Sequence, residues 1–158
     1  MTDDVTDSFR REHEQLSAEV AQIRAAALEI PRLSLGERAV AVDGVLAFLR
    51  HGLGRHAESE ERSFYPQLGR ILGDSRALAP MVYDHQMIGT WTAALAQADL
   101  ADTQLLQELL FGLHAVIKLH LWKEEEIYFP LLDANKGAPV PGAAPSQRPN
   151  VSAPATRS

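Results

Sequence analysis

The sequence predicts an all-α protein: an antiparallel up-down-up-down four-helix bundle with a disordered C-terminal tail. Apolar residues recur at spacings of three and four along most of the 158 residues, and strand-like alternation is absent. Helix-start signals and Pro or Gly breaks divide this periodicity into four stretches joined by short connections, which implies antiparallel neighbours. After Asn135 the composition changes abruptly. The expected division is therefore a bundle over residues 7–134 and a flexible Pro/Ala/Ser-rich tail over 135–158.

The first helix is expected from about Asp7, on the stripe Phe9, His13, Leu16, Val20, Ile23, Ala27 and Ile30, with Pro31 as its stop. Ser34-Leu35-Gly36-Glu37 reads as a capping box opening a longer helix striped by Val42, Val45, Leu46, Leu49, Leu53, His56, Glu60 and Phe64. Gly44, Gly52 and Gly54 weaken that helix by roughly 1 kcal/mol each relative to Ala. Pro66 and then Gly73-Asp74-Ser75 break the pattern. A third stripe follows through Leu78, Met81, His85, Ile88, Thr92 and Leu95, with Ala79-Pro80 in the first turn. Asp99, Asp102 and Thr103 offer caps for a fourth helix carrying Leu106, Leu109, Leu113, Ile117, His120, Glu124, Ile127 and Leu131. From Lys136 onward there is no large aromatic residue, and too little apolar surface to repay ordering.

One motif occurs twice. His56 to Pro66 and His120 to Pro130 each place a Glu four residues after a His, an aromatic pair beyond it, and a Pro ten residues after the His. On a helix, residues four apart share a face, so each pair presents two ligands together. A second echo links Glu12-His13 with Asp84-His85. His13, His56, Glu60, His85, His120 and Glu124 all fall where the periodicity calls for a core side chain, whereas His51 and His114 do not. Burying unpaired charge costs several kcal/mol, a large share of a domain's stability, so something must neutralise these groups. Cations bound by carboxylates and imidazoles do this. The order His, HxxxE, His, HxxxE predicts two metals with two histidines each, bridged by Glu60 and Glu124.

A single HxxxE is a common coincidence, and a lone His on an apolar stripe is more often a satisfied core residue. It is the joint pattern that carries the prediction. Glu58, Glu61, Glu125 and Glu126 read as solvated faces, with Glu125 a possible substitute ligand beside Glu124. Phe64, Tyr65, Tyr128 and Phe129 read as core and kink residues, Tyr83 as a wall of the site, and Trp91 and Trp122 as packing.

Composition limits the alternatives. With no Cys, thiolate metal sites, disulfides and Cys nucleophiles are excluded. A net charge of -6 without a basic tract argues against nucleic acid or an anionic membrane as partner. The acidic start is unlike a secretory signal and no stretch reaches the length of a membrane span, so a cytoplasmic protein is expected.

The motifs together resemble the hemerythrin-like family, also called the HHE cation-binding domain, over roughly Phe9 to Leu132. The resemblance implies a non-heme centre of two iron ions with carboxylate and oxo or hydroxo bridges. His13 and His56 would bind one iron, His85 and His120 the other, and Glu60 and Glu124 would bridge. The oxygen carriers of the family place a further His four residues after the first on the third helix, where this chain has Gly89. They also tend to place the last carboxylate, an Asp, five residues after its His, whereas the repeat here favours Glu124 at four. Open metal positions would follow, favouring binding or turnover of a small oxidant (O2, H2O2 or NO), including catalase-like activity. The alternatives are a metal-dependent sensor or iron-binding module without turnover, and a purely structural bundle.

Overall fold

The computed structural model describes residues 5–135, apart from the side chain of Ser75; the expected tail, beyond Asn135, lies outside the described residues. Four long helical rods form the bundle, and no strand occurs among the described residues. Rod α1 is Val5–Glu29. Rod α2 runs over residues 35–72, α3 is Ala79–Gln97, and α4 covers residues 103–134. Rod α1 packs on α2 and α4, and α3 packs on the same two from the other side.

The rod ends follow local chemistry. A 3-10 turn, Ile30–Arg32, ends α1 with Pro31 in it. Ser34 and Glu37 make the expected capping box, with the Glu37 N–H donating to Ser34 Oγ at 3.4 Å and the Ser34 N–H to Glu37 Oε2 at 2.8 Å. Gly73 adopts φ 69°, the left-handed conformation that suits a helix C-terminus and that only glycine adopts without strain. Asp102 caps α4 by accepting the Leu105 N–H at 3.0 Å.

Neither Pro66 nor Pro130 ends a rod. Rods α2 and α4 contain π-turns, Leu49–Leu53 and Glu60–Phe64 in the former and Glu124–Tyr128 in the latter. Each of the last two turns opens on the motif Glu and is followed within two residues by the motif Pro. A proline has no N–H to contribute, and just beyond a π-turn the ordinary ladder is already interrupted, so the rod continues through it. The inserted residue also shifts the inward face. Ile127, expected on the stripe, is 47% exposed, while Phe129 and Leu132 are buried.

Two apolar clusters fill the interior. The larger is built from residues such as Val20, Ile23, Leu46, Leu95, Leu106 and Leu113. The smaller, nearer the rod ends that hold Phe9, Leu68 and Phe129, includes Phe64, Leu78 and Met81. Between them lies a polar layer.

Candidate metal centre

That polar layer holds all six titratable residues expected to face inward. His13 stands on α1 between the buried Phe9 and Leu16; His56 and Glu60 on α2; His85 on α3; His120 and Glu124 on α4. Both carboxylates are 0% exposed, and His13, His56 and His120 are buried with them.

The imidazoles meet in pairs through their Nε2 atoms, His13 with His56 at 3.0 Å and His85 with His120 at 3.1 Å. Glu60 spans the two pairs. Its Oε1 lies 2.8 Å from His56 Nε2 and 3.8 Å from His13 Nε2, while its Oε2 lies 3.3 Å from His85 Nε2 and 3.7 Å from His120 Nε2. Glu124 presents one oxygen to both sides, Oε2 being 3.4 Å from His13 Nε2 and 3.5 Å from His120 Nε2.

On the outward nitrogen of every imidazole sits a carboxylate. His56 Nδ1 pairs with Glu12 at 2.8 Å, His13 Nδ1 with Glu125 at 2.8 Å, His85 Nδ1 with Glu61 at 2.7 Å and His120 Nδ1 with Asp84 at 3.2 Å. Nδ1–H donation to these groups directs each Nε2 lone pair inward and raises its basicity, the usual support of a metal-ligating histidine. Glu125 and Glu61 thus back the site instead of merely forming a solvated face. Glu12 and Asp84 directly precede His13 and His85, while Glu61 and Glu125 directly follow Glu60 and Glu124. A neighbour in sequence points about 100° round the helix from the inward side chain, hence toward the adjacent rod. The paired echoes in the sequence were the signal for these contacts. One pairing is unlike the others: Asp84 is also hydrogen-bonded by Lys123, and the corresponding place in α2 is Ser59.

Tyr65, expected as core, reaches the centre as well. Its hydroxyl donates to Glu124 Oε1 at 3.0 Å and lies 3.4 Å from His85 Nε2. Burial and the neighbouring carboxylates push this phenol up, so it stays protonated and remains a donor. Tyr83, by contrast, is 59% exposed, and Trp122, expected to pack, is 54% exposed. Trp91 does pack, closing on Gly112.

The electrostatics show what the layer lacks. Burial pushes Glu60 up, but the surrounding imidazoles outweigh it and hold this carboxylate well below its ordinary range. Burial and the Glu60 charge raise Glu124. Burial lowers His13 and His120, yet nearby carboxylates more than offset it and each is raised to about 9. Despite this charge matching, both Glu60 oxygens and Glu124 Oε2 are buried without a hydrogen bond. Unsatisfied buried polar atoms cost about 1–3 kcal/mol each, and more when charged.

A cation is the group these atoms fit. Two bonds of about 2.1 Å at a right angle span about 3.0 Å, the separation within each imidazole pair. Two donor sets meet the spacing a metal ion requires: His13, His56, Glu60 and Glu124, and Glu60, His85 and His120.

Fold and site together define a cation-binding helical bundle built on nitrogen and oxygen ligands. The chain belongs to the hemerythrin HHE cation-binding domain family, whose model matches residues 4–132. No curated protein and no solved structure matches it. No helix among the described residues is long and apolar enough to cross a membrane.

Proposed function

We propose that this chain is a non-heme di-iron protein that binds or turns over a small oxidant, O2, H2O2 or NO, with peroxide decomposition as its candidate enzymatic activity. The observation that carries the reading is Glu60, a fully buried carboxylate whose two oxygens face two different imidazole pairs. His13 and His56 would hold one iron and His85 and His120 the other, with Glu60 and Glu124 shared between them. When bound, such a pair supplies electron exchange and open positions for a small oxidant.

The chain's own residues supply the rest. Four outward carboxylates orient the imidazoles, and the Tyr65 hydroxyl holds Glu124 Oε1 so that Oε2 faces His13 and His120. The apolar clusters on either side restrict water. Gly89 contributes no donor side chain on α3. This reading takes residues 7–134 as the functional unit in a cytoplasmic protein.

Elemental analysis with an optical spectrum tests the proposal. The expected result is two iron ions per chain, near-ultraviolet charge-transfer absorption, and reaction with at least one of O2, H2O2 and NO. Glu60→Gln should lose most of the metal while retaining helicity. Protein that binds no iron, or whose iron ignores all three oxidants, would overturn it.

A further inference from the structure

The third π-turn, Leu49–Leu53, contains no proposed metal ligand, so the centre does not account for it. It forms one wall of a chamber of about 210 Å³ between α2 and α3. Leu49, Leu53 and Ile88, all buried, make the apolar walls, and the imidazoles of His56, His85 and His120 edge the chamber. Small residues keep it open. Gly54, Ala57 and Gly89 line it where the two rods face each other, and a Cβ added at Gly89 would meet nothing within 4 Å. At Gly54 a Cβ would lie 3.3 Å from the Leu49 carbonyl oxygen, the acceptor of the Gly54 N–H that closes the π-turn. Of the three glycines that weaken α2, Gly54 is the one that lines the opening.

The volume sets the class of occupant. A diatomic gas or H2O2 needs only a fraction of it, whereas an apolar cavity of about 150 Å³ lined by Leu, Ile and Phe stays dry and accepts benzene. The Leu49, Leu53 and Ile88 walls offer water no side-chain partner; the polar lining groups are Arg50, Thr92 and the three imidazoles.

We propose that this chamber binds a small apolar organic molecule, about the size of benzene, against the imidazole edges of the centre. That the edges belong to a metal centre rests on the function proposed above; the chamber's affinity for an apolar ligand does not. Purified full-length protein is titrated with benzene by calorimetry, and its metal content is measured on the same sample. Saturable one-site binding is expected. Ala57→Leu and Gly89→Leu are each expected to weaken it at least tenfold with helicity and metal content unchanged. Benzene uptake that does not saturate, or that neither variant weakens, would overturn the proposal. A second titration with azide, a small anion that binds open metal positions, examines the connection to the centre. Saturating benzene should lower azide affinity several-fold, and an unchanged azide affinity would show that the chamber does not open onto the metals. Saturable benzene binding by protein that takes up no added iron would leave the chamber standing and sink the di-iron reading alone.

Discussion

Tyr65 shows how much a single hydroxyl contributes in a buried layer of titratable groups. Phenylalanine would fill the same space beside Phe64 and leave Glu124 Oε1 without its donor. Tyr65→Phe should therefore lower the stability of the metal-free protein by about 1–3 kcal/mol, read from the urea midpoint at constant slope. The sequence marked Tyr65 only as an aromatic after the motif, because an apolar stripe tells inside from outside and not which polar atom a side chain's far end will reach. His13, His56, His85 and His120 were legible because they interrupt otherwise apolar stripes. Glu61 was not, since its side chain is 48% exposed and on periodicity alone resembles any solvated glutamate.

At the scale of the elements, the π-turns decide which residues face inward. The turn Glu124–Tyr128 adds a residue after the motif Glu, moving the buried positions to Phe129 and Leu132 and turning Ile127 outward. Nothing in composition signals such an insertion; the Pro two residues past each of the two motif turns is its trace, and of the pair only Pro66 reads as a break. Between α3 and α4 the controlling position is Gly112. A Cβ there would lie 2.5 Å from Trp91 Cζ3, so the indole must shift or the rods must part. Gly112→Ala should cost about 1–3 kcal/mol despite alanine's better helix propensity, and a thermal melt measures it. An unchanged or higher melting temperature would show that Trp91 relaxes freely.

For the molecule as a whole, if the imidazoles are the proposed ligands, metal and protons would compete for the same nitrogens. Without metal, His13 and His120 have folded values raised to about 9 from an ordinary 6.5. Their contribution to stability is full below the ordinary value and is lost as pH rises through the folded one. The metal-free protein should lose stability between about pH 6.5 and 9. Metal bound by these imidazoles would displace those protons, so affinity for the ion should rise over the same interval. Melting temperatures of the two forms, compared at both ends of that interval, should diverge as pH rises, with the loaded form favoured. Parallel curves would mean that the imidazoles are not ligands.

The bundle was legible as a whole because each rod carried its own stripe and caps. The interlock of its halves was not, since it depends on contacts between residues far apart in the chain. Glu12 serves His56 and Asp84 serves His120, each within its own half, but Glu61 reaches across to His85 and Glu125 back to His13. Thr6 and Arg10 both donate to Asp133 at 2.7 Å, so residues near the start of the bundle adjoin those near its close. The backbone thus traces a nearly closed loop. A circular permutant opened at the Gly73 turn and joined across this gap would keep every partnership around the centre, since helix order matters less here than which rods stand side by side.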